Sequence, residues 1–287
     1  MDQTLRQLLP LTAERDCAGR LCLGGCALPD LAAAYGTPLY LYDAATLDGM
    51  AAAYQGALAA AYPAAWEVAY AAKAWLGTAT ARWAAGRGLG LDVVSTGELA
   101  IARRGGFPAE RIHFHGNNKT PADLAAALAA GVGRIVVDDP DELAAVDALA
   151  RDRGIRQPIW LRVNPDVDVD THGHTRTGHA GSKFGMALAD GSAQAAAEQA
   201  LRRNGVALCG LHCHIGSQFR DAGPLALAVQ RLLDLAERLR TAVGWQPAEL
   251  SPGGGWAVPY VSDQAAGLPD IAAYVATVAA AVNDGCQ

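Results

Sequence analysis

Apolar residues in this chain fall into two alternating kinds of run. Short, strand-like runs occur at 66–73, 89–94, 112–115, 134–138, 159–163, 206–215 and 248–252. Each is followed by a turn of Gly, Ser, Asn, Asp or Pro and then by a longer, alanine-rich stretch with helical spacing. Helix starts are marked by Ser95-Thr-Gly-Glu98, which resembles a capping box, and by Thr120-Pro-Ala-Asp123 and Asp139-Pro-Asp-Glu142, with proline in the first turn. Strand ends recur about every 22 residues over the first four units, the length of a βα repeat in a parallel sheet. Seven such strands predict a TIM-type barrel, and the lack of a Gly-x-Gly-x-x-Gly turn after the first one weakens the doubly wound alternative. Upstream, residues 1 to about 37 read as an irregular segment with a short helix ending near Gly36. An apolar strand over Leu39–Tyr42 and a helix from about Ala44 to Ala61 follow. The expected division is therefore 1–37 and 38–287.

Alternation within the strands gives the candidate chemistry. Glu67, Ala69, Ala71 and Lys73 share one face and Trp66, Val68, Tyr70 and Ala72 the other. A lysine above two alanines has room beside it for a ligand, and desolvation there favours the reactive neutral amine, although a strand-end lysine can also simply reach water. Trp160, Arg162 and Asn164 share a face, and Asp92 departs from an apolar one, so Asp92 and Arg162 are expected to meet beneath Lys73 unless a twist or bulge diverts one of them. Gly210, His212 and His214 share a face opposite Cys209, Leu211 and Cys213, which argues against a zinc site built from the neighbouring cysteines and histidines. The loop Ser251-Pro-Gly-Gly-Gly-Trp256 suits phosphate, as its backbone amides would be accessible, but a plain turn would look the same. Residues 166–184 read as a polar loop over the mouth. In a barrel, Lys73, Ser95, His115 to Lys119, Asp138, Asn164, His214 to Gln218 and Gly253 to Gly255 would all converge at the C-terminal ends of the strands, where active sites form.

Composition narrows the class. The 287 residues are 51% hydrophobic with a net charge of −6, which does not indicate a nucleic-acid or anionic-membrane surface. No uncharged apolar run reaches membrane length, the first ten residues lack a signal-peptide pattern, and six cysteines form no disulfide framework. A reduced, cytoplasmic protein is expected.

Together, Tyr70-Ala-Ala-Lys-Ala74, Gly90-Leu-Asp-Val-Val-Ser-Thr-Gly-Glu-Leu99, Phe114-His-Gly-Asn-Asn-Lys119, Arg162-Val-Asn-Pro165, Ser182-Lys-Phe-Gly185, His212-Cys-His-Ile-Gly-Ser-Gln218 and Pro252-Gly-Gly-Gly255 resemble the fold-type III pyridoxal-phosphate decarboxylases, in particular the diaminopimelate decarboxylases. The resemblance implies an alanine-racemase-like (β/α)8 barrel and pyridoxal 5'-phosphate held as an aldimine on Lys73. It further implies His214 stacked on the cofactor ring, phosphate bound by Ser217 with Gly253, Gly254 and Gly255, and polar support under the lysine from Asp92, Glu98 and Arg162. The catalytic residues would be Lys73 and His214, acting on diaminopimelate or a related amino acid, with no metal. Trp75 and Thr175-Arg176 depart from the family pattern near the expected substrate position. The family continues with an eighth strand bearing Glu-Pro-Gly-Arg and a β-domain, neither of which is in these 287 residues. A homodimer or a complementing C-terminal polypeptide is therefore expected, and the chain alone is expected to be inactive. A non-catalytic regulatory homologue and an amino-acid racemase are the alternatives.

Overall fold

The computed structural model describes residues 6, 8–167, 183–261 and 270–285. The chain forms two compact units, Met1–Pro63 with Ala257–Ala276, and Ala64–Trp256 with Thr277–Gln287.

In the first unit, β1 (Glu14–Arg15), β2 (Leu21–Leu23) and β3 (Cys26–Ala27) make a small antiparallel sheet. Asp16 shapes its first turn, accepting the amides of Ala18 and Arg20 on one carboxylate oxygen. Helix α1 (Leu28–Tyr35) ends at Gly36, as expected. Helix α2 (Ala44–Ala61) is capped by Asp43, whose side chain accepts from the Thr46 amide. The strand expected over Leu39–Tyr42 does not form. An extended segment becomes a strand only by pairing, and these residues have no ladder partner among the described residues, so Tyr40 is left 89% exposed.

The second unit is the βα repeat read from the sequence. Strand β4 (Ala69–Ala71) leads through a turn to α3 (Thr78–Gly86), then β5 (Gly90–Val93) to α4 (Thr96–Arg104), and β6 (Ile112–Phe114) to α5 (Pro121–Ala130). Next come β7 (Arg134–Val137), α6 (Pro140–Asp152), β8 (Gln157–Asn164), the short β9 (Met186–Ala187) and α7 (Ser192–Arg202). Strand β10 (Val206–His212), α8 (Gly223–Val243) and β11 (Glu249–Ser251) follow, and α9 (Ile271–Gly285) ends the described chain. The sheet order is β11-β10-β8-β7-β6-β5-β4, all parallel, with β9 added beside β8. Helix starts behave as the local sequence requires: Ser95 and Asp139 cap α4 and α6, and Thr120 with Asp123 closes a reciprocal capping box on α5.

The two faces of this sheet differ sharply. Leu91, Val93, Ile112, Phe114, Ile135, Val137, Ile159 and Leu161 are completely buried and face the helices. The concave face carries Asp92, His113, His115, Arg134, Asp138, Trp160, Arg162, His212 and Glu249. Alternation therefore sorts a dry outer core from a polar interior. One irregularity limits it: the register shifts between Leu208 and Gly210. The alternation read from Gly210 to His214 does not extend back through that bulge to Cys209, which lies within electrostatic range of Arg134 and Glu249.

Candidate active site

Strand β4 ends at Ala71, and a single 3-10 turn over Ala72–Ala74 carries Lys73 out to an exposed position. Ala72 is buried and anchors the turn. The Tyr70 hydroxyl donates to the Trp75 carbonyl at 2.8 Å, and the Tyr70 ring meets Trp83 edge-on at 5.7 Å, so both sides of the lysine are fixed. The expected strand through Lys73 thus stops two residues short, so the strand alternation does not by itself set the direction of the lysine.

The expected contact between Asp92 and Arg162 is not made. They stand on β5 and β8, three strand spacings or ~14 Å apart along the sheet. Asp92 is held by histidines instead: Oδ1 lies 2.9 Å from His113 Nδ1 and 3.5 Å from His115 Nε2. His113 Nε2 in turn lies 3.2 Å from Glu67 Oε1. Burial alone would raise the Asp92 carboxyl, but the two histidines outweigh it and hold it well below the usual carboxylate range. Arg162 pairs with Asp138 at 3.4 Å and lies over the Phe184 ring at 4.4 Å. Gly185, at φ +72, packs on the Arg162 backbone and donates its amide to Asp138 Oδ2 at 3.1 Å. The Arg162–Asp138 pair thus fastens the Lys183–Gly185 segment beside β8; residues 168–182 of the expected mouth loop lie outside the described residues. Glu98 accepts the Val94 amide at 2.6 Å, beside the Ser95 cap at the start of α4.

Around His214 the chain is built from small residues. The Gly254 amide donates to His214 Nδ1 at 3.4 Å. A Cβ on Gly253 would lie 2.5 Å from the Cys213 carbonyl oxygen, and one on Gly255 would lie 1.9 Å from that of Gly216. Both glycines have positive φ, at +76 and +113, so space and backbone conformation both require glycine there. Gly254 between them has nothing within 4 Å of a Cβ. Ser217 is half-buried in the bend that faces this loop, followed by Gln218 at φ +64 and by Phe219, whose amide donates to the Gly255 carbonyl at 3.2 Å. Burial, reinforced by the charges of Lys73, Arg162 and His115, pushes the His214 pKa down to about 3. Lys73, His214, Ser217 and the three glycines therefore gather at one end of the sheet, with Asp92 and Arg162 on the same concave face.

Sequence reasoning missed several partners. His113 lies in a short apolar run; its parity with His115 is the signal in the sequence, and the register then sets it opposite Asp92. His212 is buried, 2.8 Å from the Ser251 hydroxyl and edge-on to His115 at 4.9 Å. Arg134 forms a two-point pair with Glu249, which also accepts from Trp160 Nε1 at 2.6 Å. Lys119, 1% exposed, pairs with Glu142 at 2.7 Å and donates to the Gly116 and Val136 carbonyls.

Residues 50–287 match the family model described as pyridoxal-dependent decarboxylase, pyridoxal binding domain. Diaminopimelate decarboxylases from Corynebacterium efficiens and Bacillus subtilis are each 40% identical, over 257 and 252 residues. Each match covers 88% of this chain but only 54% and 57% of the relative. The chain thus spans a little over half the length of these relatives. Among solved structures, the diaminopimelate decarboxylase of M. jannaschii superposes with a TM-score of 0.85 at 31% identity, covering 96% of this chain and 62% of that one. The Helicobacter pylori enzyme, complexed with L-lysine, gives 0.80 at 27% identity, covering 89% and 62%. The open parallel sheet with its helices is accordingly a TIM-like fold, and the chain belongs to the pyridoxal-dependent decarboxylases, with residues 50–287 matching the family's pyridoxal-binding domain.

Proposed function

We propose that this chain binds pyridoxal phosphate through Lys73 and forms the cofactor-holding part of an enzyme that decarboxylates diaminopimelate or a related amino acid. The observation that carries the reading is that Lys73 lies within electrostatic range of His214, whose ring accepts the Gly254 amide of the glycine loop. The side chains present suit the cofactor. Gly253 and Gly255 let two backbone segments approach so closely that any Cβ would collide, while Gly254 stays open, a geometry fit for a phosphate. A neutral imidazole at His214 offers a flat face to an aromatic ring. Lys73, exposed at the end of its strand, can reach a ligand's carbonyl carbon.

The bound cofactor supplies an electron sink for the pair released when the bond between Cα and the carboxylate breaks and carbon dioxide leaves. The protein's own contribution is to hold the lysine, keep His214 neutral and orient the substrate so that this bond stands across the plane of the ring. Loss of one carboxylate from diaminopimelate, with a proton added at Cα, leaves lysine. The L-lysine bound to the H. pylori relative fits that substrate class. Full turnover is proposed to require a homodimer or a complementing C-terminal polypeptide, since the match covers only 54% of the C. efficiens relative.

Titration with pyridoxal phosphate tests the reading. A new absorbance band that borohydride fixes, with the label on the Lys73 peptide and lost in Lys73→Ala, is the expected result. Absence of any lysine-linked label, with or without a polypeptide carrying Glu-Pro-Gly-Arg, would overturn it and favour a non-catalytic homologue.

A further inference from the structure

The concave face contains a charged cluster, Glu67–His113–Asp92–His115, that the proposed cofactor contacts do not account for. Both ring nitrogens of His113 face carboxylate oxygens, Nδ1 toward Asp92 at 2.9 Å and Nε2 toward Glu67 at 3.2 Å. An imidazole can donate through both nitrogens only as the cation. The site is buried, with the His113 side chain 8% exposed, and the Trp160 ring lies over it at 4.5 Å. Gly90 makes room for this arrangement: a Cβ there would lie 2.4 Å from Glu67 Oε1 and 3.2 Å from His113 Cε1. Other charges nearby are already neutralised. Arg134, the ladder partner of His113 on β7, is paired with Glu249 of β11, and Arg162 is paired with Asp138. Asp92 is therefore held by His115, at 3.5 Å, and by the shorter contact from His113, at 2.9 Å, and not by Arg162.

We propose that His113 is a positioning residue: clamped between Glu67 and Asp92, it fixes the Asp92 carboxylate, as an anion, between the two histidines on the face of the sheet that carries Lys73. The Asp92 side chain is 30% exposed, and the partial loss of water there would otherwise favour protonation and weaken its orientation toward His115. Glu67 is 39% exposed and holds the far side of the ring, so it tunes the clamp without being essential to the fold. The pKa directions agree: burial opposes the charge on His113, yet the hydrogen bonds that it donates to Asp92 and Glu67 raise it to about 9. The inference builds on the reading of Lys73 as the cofactor lysine, but it concerns groups that can be observed without cofactor.

The test is carboxyl and imidazole NMR on the cofactor-free chain, with Asp92 assigned through Asp92→Asn. In the wild type, Asp92 is expected to stay ionised below pH 3 and His113 to stay doubly protonated above pH 8. His113→Gln should raise the Asp92 pKa by at least one unit. Glu67→Gln, at a half-exposed position, should lower the His113 pKa by a similar amount, and it decides the matter if His113→Gln does not fold. An Asp92 titration unchanged in His113→Gln, or a His113 titration near 6.5 that ignores Glu67, would overturn the inference. With cofactor, borohydride-trapped label on Lys73 should shift its pH profile in His113→Gln, whereas a merely structural role would lower its amount at every pH alike. Failure of cofactor binding in the wild type would count against the reading of Lys73 alone, since the NMR result stands without it.

Discussion

The amide of Gly254 points at Nδ1 of His214, 3.4 Å away, across 40 residues of chain. That contact assigns Nδ1 as the acceptor and so the neutral ring with its proton on Nε2. Burial first, and then the positive charge of Lys73, disfavour a second proton. His214 should therefore remain neutral down to about pH 3, visible as an imidazole nitrogen signal that does not move between pH 8 and 5. His214→Ala should weaken pyridoxal phosphate binding by about 0.5–1.5 kcal/mol, the range for lost aromatic contact, read by absorbance titration.

The three glycines of the loop should respond very differently to alanine. Gly255→Ala forces a methyl into the Gly216 carbonyl at a φ of +113, and Gly253→Ala does the same against Cys213. Each is expected to destabilise the fold by about 1–3 kcal/mol or more and to abolish detectable cofactor binding. Gly254→Ala meets nothing within 4 Å. Its melting temperature should stay near that of the wild type, so any loss of binding there reports a blocked ligand. Thermal melts beside cofactor titrations separate the cases.

Lys119 and Glu142 form a buried ion pair, 1% and 5% exposed, that ties the β6–α5 connection to α6. Burial pushes the Glu142 carboxyl up to about 7 against the pull of Lys119. Removing one partner leaves an uncompensated group inside, so Lys119→Met should cost about 3–5 kcal/mol in urea unfolding. The double change Lys119→Met with Glu142→Leu should recover most of that loss, as apolar replacements of similar volume often do.

Stability should also follow the His113 titration. Its folded pKa, about 9, lies above the ordinary 6.5, so its contribution is complete below pH 6.5, falls as pH rises, and is gone above pH 9. Across that window each unit of pH removes about 1.4 kcal/mol. Asp92 has the opposite sign: its lowered pKa stabilises above about pH 4 and the contribution is lost toward stronger acid. Urea unfolding between pH 6 and 9.5 should show the alkaline loss in the wild type and a flatter profile in His113→Gln.

Much of the second unit was legible in the sequence because each signal was local. The seven parallel strands and their helices followed from run length and turn residues, and the caps at Ser95, Thr120 and Asp139 from side chains within four residues of the groups they bind. Helix α2 runs over the expected Ala44–Ala61 because its cap and its length are both local features. The strand expected at Leu39–Tyr42 failed because a strand requires a partner that no local pattern supplies.

Alternation by itself established which residues share the interior, with Asp92, Trp160, Arg162, Asn164, His212 and His214 on one face of the sheet, and motif spacing brought Lys73 and the glycine loop to the same end. Pairing within that interior was decided only by the tertiary structure. Parity sets a face but not a neighbour. Asp92 meets His113 on the neighbouring strand and Arg162 meets Asp138 at the end of its neighbour, whereas Arg134 and Glu249 pair across the same three strand spacings that separate Asp92 from Arg162; which charges meet across the curved face is thus a property of the folded sheet and not of strand order or parity.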